Sequence, residues 1–346
     1  MLVYTSGSDS PEIRVMDFDE DAATYTPLHT FDAGPGSGYL AFGGGGKRVY
    51  AINRTPARVI AFAVERTGAL QRMNEVLVPG VFGSTHLAVH PAGHLLMVAH
   101  FGSGHVSVHA LGPDGAVGDA IDVQDTAREA HQAVCTTDGR FLFVPCRAGD
   151  VVCQFVVDPA SGKLGRNDPF MVSAKSGAGP RHMAVHPSQR FAFVLNELDG
   201  TMTTYRLDPE RGQLSALHTV ASVPDGFAEG AAAHIEVHPA GRFVYASNRE
   251  HGSIAMWAFD PNGARLQLLG HETAGGRIKS PRDFTLGPNG ATLLVANQAG
   301  GLLLAFAIEA DGTLCSTGAG QAQAAPTFIG VLPDAAGGRP SMSGTR

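Results

Sequence analysis

The sequence predicts an all-β fold: a seven-bladed β-propeller, four antiparallel strands per blade, with the ring closed by strands from both chain ends in one blade. Three observations predict it. Two turn series share one period, each period holds four short strand-like runs, and half a unit is left over at the chain ends.

The first series is a turn that leads into an apolar run. It stands at Gly46, Gly93, Gly139, Gln189, Gly241 and Gly290, as in Pro91-Ala92-Gly93-His94-Leu95 and Pro239-Ala240-Gly241-Arg242-Phe243, with steps of 46 to 52 residues. The second series uses Gly68, Gly115, Gly162, Gly212, Gly263 and Gly312, with steps of 47 to 51. Two turn series in phase at this spacing match the length of a four-stranded blade. In the fourth repeat the strand-like runs are 182–185, 191–195, 201–207 and 214–220, rich in Val, Phe, Tyr and Thr. Runs 2–5 and 13–18 at one end and 326–331 at the other supply the seventh blade, so no sheet edge stays open. The propeller is expected to fill 1–333 as a single unit. The Gly-, Ser- and Pro-containing stretch 334–346 is expected to be a disordered tail.

Composition agrees. Of 346 residues 44% are hydrophobic and only 16% charged, which excludes a solvated, disordered chain, and 44 Gly with 21 Pro fit many tight turns. A net charge of −7 argues against general affinity for nucleic acid or an anionic membrane, so any anion must be held by a local cluster of cations. No signal peptide and no run of 18 apolar residues is visible. Cys135, Cys146, Cys153 and Cys315 form no C-x-x-C pair and read as free thiols, which points to the cytoplasm.

Residues in phase occupy equivalent heights around a propeller's channel. Eight residues before the first marker stand Gly38, Thr85, His131, Arg181, Ala233 and Arg282, followed by Tyr39, His86, Gln132, His182, His234 and Asp283. Seven residues after the marker come Asn53, His100, Cys146, Asn196, Asn248 and Asn297, followed by Arg54, Phe101, Arg147, Glu197, Arg249 and Gln298. Both sets are expected at one channel mouth. The recurring Asn reads as a loop-satisfying amide, and the recurring His at 86, 182 and 234 as architecture. Arg181, Arg282, His131 and Glu197 depart from their sister blades and are the candidates for chemistry. Arginine there offers a permanent, planar anion clamp, although an Arg181–Glu197 pair is equally the make-up of an inter-blade salt bridge.

The same residues carry a family resemblance. Gly177-Ala178-Gly179-Pro180-Arg181-His182-Met183-Ala184-Val185-His186-Pro187, with Asn196-Glu197-Leu198, resembles the seven-bladed lactonase family, as do Ser247-Asn248-Arg249, Ser280-Pro281-Arg282-Asp283-Phe284 and Ala296-Asn297-Gln298. That family includes propeller-type 6-phosphogluconolactonases and carboxymuconate-lactonizing enzymes. The resemblance implies catalytic roles for Glu197, His131 and Arg181, and substrate binding by Arg282, Arg181, His182, His234 and Arg249. It implies neither metal nor other cofactor. The chain departs from the family pattern at Arg128-Glu129-Ala130, at His100, at Cys146 and at His234.

The expected activity is hydrolysis of a small anionic lactone, best matched by 6-phosphogluconolactone. Glu197 is the expected base, with His131 as alternative base or as proton donor, in a monomer or homodimer. Cycloisomerisation of a carboxylated muconate needs the same anion clamp and is the alternative. A ligand- or protein-binding propeller of the Trp-Asp type fits less well, because Trp257 is the single tryptophan and no Trp-Asp dipeptide occurs.

Overall fold

The computed structural model describes residues 1–7, 10–54, 56–79, 83–227 and 230–333; the expected tail 334–346 lies outside them. It is a ring of seven four-stranded antiparallel sheets. Six blades run in chain order, from innermost to outermost strand. They open with Ser37–Gly43, Ser84–Val89, Val134–Cys135, Pro180–Val185, Ala232–Val237 and Pro281–Leu286. The seventh takes its innermost strand, Phe328–Val331, from the far end of the chain and its other three, Leu2–Ser6, Glu12–Asp19 and Thr24–Asp32, from the near end. Val3 pairs with Val331 and Tyr4 with Gly330, so the closing ladder joins the two chain ends.

The fourth blade follows its expected strands closely, as Pro180–Val185, Phe191–Asn196, Thr201–Asp208 and Gln213–Ala221. Three details differ. The closing strand begins at Phe328, after Pro326 and Thr327, because Pro326 has no N–H for a ladder. Thr24–Asp32, which carries no turn marker, is the outer strand of the closing blade. The third blade's inner strand is only Val134–Cys135. Upstream of it the Ala130 and His131 carbonyls accept from the Thr85 hydroxyl of the second blade, at 3.3 and 3.0 Å.

Between each pair of neighbouring blades lies one apolar layer, built from inward-facing residues of the middle strands. Trp257 and Phe193, both fully buried, meet in the layer between the fourth and fifth blades. The alternation of strand side chains across the sheet produces these layers, since each blade offers an apolar face on both sides.

The turn markers have a second task. His90, His186 and His238 each precede the Pro of a turn, and each accepts a bond at Nδ1 from a backbone N–H two residues on, at 3.1 Å. Their Nε2–H groups donate at 2.9 Å to the carbonyls of Gly139, Gly241 and Gly290 in the next blade. Gly241 has φ +72°, and a Cβ there would stand 2.7 Å from His186 Nε2. Glycine is required there by backbone conformation and by the close approach of the neighbouring blade.

Candidate active site

Two segments of each blade meet at one channel mouth: the start of the innermost strand and the end of the second. Antiparallel pairing brings them together, as Pro180 opposite Asn196 and Pro281 opposite Asn297. The recurring Asn amides hold this geometry. Asn53, Asn248 and Asn297 donate through Nδ2 to the carbonyls of Ala33, Ser222 and Arg277 at 2.7, 2.6 and 3.0 Å.

His131, Arg181, His182 and Arg282 line one pocket at this mouth, together with Arg54, Tyr39, Thr85, Asp283 and Thr327. Glu197 and Arg249 stand at its margin, and His234 lies beneath His182 facing the central channel.

The mouth is strongly cationic. Glu197 Oε2 lies 2.8 Å from Arg181 Nε, while Oε1 lies 2.9 Å from Arg147 Nη1 and 3.1 Å from Arg249 Nη2. Arg147 also pairs with Glu129 at 2.8 Å. The Arg181–Glu197 pair is no solvated surface bridge, because its side chains are 4% and 13% exposed. Arg181 further donates from Nη1 to the Ala233 carbonyl at 2.5 Å. Burial pushes the Glu197 carboxyl up, but Arg181, Arg249 and Arg147 together hold it below its ordinary value. Both its oxygens are engaged by cations.

Arg282 has no such partner. Among the described residues it makes no hydrogen bond and no ion pair. Burial, then the charges of Arg249 and Arg54, push it down to about 10. Burial, then Arg282, push Arg181 down to about 9 despite its carboxylate neighbour. A guanidinium does not deprotonate under ordinary conditions, so these directions report burial of cations beside one another.

The pocket floor is a set of rings with His182 at its centre. Its centroid lies 5.1 Å from His234, 5.2 Å from His131, 5.9 Å from His86 and 6.4 Å from Tyr39. Burial, then Arg181, push His182 well below its ordinary value; burial, then Arg181 and Arg282, do the same to His131. Both rings are therefore neutral at pH 7. Below the floor, His234 faces Asp283 Oδ1 and Glu236 Oε1, each at 3.3 Å. Burial opposes its charge, but Asp283 and Glu236 prevail and raise it.

A family profile described as Lactonase, 7-bladed beta-propeller matches residues 2–331, from the first strand through the closing one. The chain belongs to the seven-bladed β-propeller lactonase family. Among the relatives of this lactonase, the 6-phosphogluconolactonase of Cronobacter sakazakii is 30% identical, over 89% of this chain and 91% of the relative. That of Pectobacterium carotovorum is 29% identical, over 86% and 88%. The periplasmic gluconolactonase of Pseudomonas aeruginosa has the same fold, with a TM-score of 0.89 at 24% identity, over 96% of this chain and 99% of that one. No helix among the described residues of the lactonase is long and apolar enough to cross a membrane.

Phase alone brought His131, Arg181, Glu197 and Arg282 together, but it left three contributors aside. Arg54 and Arg147 share the slot of Glu197 and Arg249, and this shared phase was the signal for them. Glu236 sits two residues beyond His234, on the same face of its strand. That alternation was the only hint of its contact.

Proposed function

We propose that this lactonase hydrolyses a phosphorylated sugar lactone, 6-phosphogluconolactone, without a metal. The observation that carries the reading is Arg282: a half-buried guanidinium with no hydrogen bond or ion pair among the described residues, beside Arg181 and Arg54 in one pocket. The relatives that are 6-phosphogluconolactonases suggest the substrate. Arg282 and Arg54 clamp the phosphate, where fork geometry matches phosphoryl oxygens.

His131 is the base. It is neutral, so its lone pair is free for the proton of the attacking water, and it then returns that proton to the leaving alkoxide. Glu197 was the base expected from the sequence, but a carboxylate gripped at both oxygens by three arginines is a weak proton acceptor. Its part is to orient Arg181, which faces the developing oxyanion.

Replacing Arg282 by Ala separates this reading from a neutral-lactone enzyme. A charge-assisted contact contributes about 1.5–3 kcal/mol, so KM for 6-phosphogluconolactone should rise about 10- to 100-fold while KM for gluconolactone hardly moves. Equal effects on both lactones in steady-state assays contradict the phosphate clamp.

A further inference from the structure

We propose that Asp283, His234 and Glu236 hold His182 in its Nε2–H tautomer, which makes His182 the neutral donor to the lactone carbonyl oxygen. This rests on the lactone-hydrolysis reading above and adds a donor and three positioning residues to it.

The argument begins with two nitrogens. His182 Nδ1 and His234 Nδ1 lie 2.8 Å apart. At that distance one donates and the other accepts, and their surroundings decide which. His234 has a carboxylate at each ring nitrogen: Asp283 near Nδ1 from the sixth blade and Glu236 near Nε2 on its own strand. His182 has none. The groups that act on it are Arg181 beside it in sequence and the rings of His131, His86 and His234. The bridging proton therefore belongs to His234, and His182 accepts it at Nδ1. A neutral imidazole carries one N–H, so the His182 proton sits on Nε2. Nε2 has no partner among the described residues, and the ring lines the pocket. A neutral N–H donor on a rigid floor is suited to an oxyanion because it needs no reorientation as charge develops.

The carboxylates are themselves fixed. Glu236 Oε2 accepts from the Leu286 N–H at 3.1 Å, and Asp283 Oδ2 from the Ile329 N–H at 3.2 Å. Each bond crosses to the next blade, so the cluster is tied to three neighbouring sheets. Asp283 Oδ1 is buried without a hydrogen bond among the described residues and lies 3.3 Å from His234 Nδ1.

A pH dependence follows. The groups facing His234 are Arg181 and His182 from the fourth blade, Asp283 from the sixth, Glu236 on its own strand and His86 across the channel. Arg181 disfavours its charge and the two carboxylates outweigh it. As pH rises through the raised value of His234, its Nδ1 proton leaves. His182 then turns its proton to Nδ1 to fill the bond, and Nε2 becomes a lone pair that repels the oxyanion. Turnover falls on the alkaline side.

The test uses the full chain with 15N-labelled histidine. Long-range proton–nitrogen spectra should show His182 protonated at Nε2 and, on the acid side of its raised value, His234 at both nitrogens. Asp283→Asn keeps the shape and an acceptor for the Ile329 N–H, and turns its NH2 toward His234 Nδ1. It should move the alkaline limb of kcat to lower pH, and lower kcat at pH 8 about 10-fold, part of the 10²–10³ attributed to a whole oxyanion donor. KM should stay within about two-fold, because substrate anchoring is left to the arginines. His234→Gln should abolish the limb altogether. A Nδ1–H tautomer for His182 in the wild type, or an alkaline limb unmoved in Asp283→Asn, overturns the proposal. Absence of any lactone turnover by the wild type instead overturns the hydrolysis reading and the donor role with it, while the spectra judge the tautomer on their own.

Discussion

Replacing Glu197 by Gln tests the site most sharply, because it separates a residue that orients arginines from one that accepts a proton. The carboxylate touches Arg181, Arg147 and Arg249 at 2.8, 2.9 and 3.1 Å, with the Arg181 side chain only 4% exposed. An amide of the same shape must turn its NH2 group toward one of these cations. Removing one partner of a buried pair costs about 3–5 kcal/mol. With an unfolding entropy of about 2.1 cal/mol/K per residue, the 346 residues lose about 0.7 kcal/mol of stability per degree. Tm at pH 7 should therefore fall by about 4–7 °C. The sign of the pH dependence is fixed. The folded value of Glu197 is depressed, so its contribution is full above the ordinary value of 4.5 and is lost as pH falls through the folded value. Wild-type and variant melts should converge below pH 4.5. On 6-phosphogluconolactone the variant should lose kcat by less than the roughly 10²-fold of a lost base, with KM little changed, since Arg181 tilts away from the developing oxyanion while Arg282, Arg54 and His131 are untouched. Melts by circular dichroism and steady-state rates decide the matter. A Tm unchanged within about 1 °C, with kcat lowered by about 10²-fold or more, makes Glu197 the base and the assignment of His131 wrong.

Two further outcomes are expected. His131→Asn should lower kcat by about 10²-fold or more; retained kcat refutes its role as base. Gly241→Ala should cost about 1–3 kcal/mol, since its φ of +72° and the His186 ring both exclude a methyl group. That loss should appear in denaturant melts, with lactonase activity per folded molecule unchanged, and an unaltered midpoint removes the inter-blade link from the account.

The ring was legible because its turns repeat. Gly139, Gly241 and Gly290 mark places where only a permissive backbone lets a histidine of the neighbouring blade approach, and such requirements leave a trace in the chain. Thr24–Asp32 left none: its alternation is mostly exposed and its pairing is set by the strand beside it. In the site, phase put Arg181, His131, Glu197 and Arg282 at one height, but phase says nothing about distance across a curved ring. Whether Glu197 faced one arginine or three depended on Arg147 and Arg249 reaching in from the blades on either side. The orienting partners of His182 were hidden for the same reason, since Asp283 and His234 lie 49 positions apart in the chain.

The closing ladder has a consequence for the birth of the molecule. Thr5 donates to Gln323 across 318 positions at 2.7 Å, and the pocket itself includes Thr327 alongside Gly38 and Tyr39. Six blades can assemble while the chain is still being made, because each is built from consecutive strands. The nascent N-terminal strands meanwhile wait with an unpaired edge, a surface open to wrong partners. Only when Phe328–Val331 has left the ribosome can that edge be covered, so the arginine-lined mouth is completed only after the closing strand has been made.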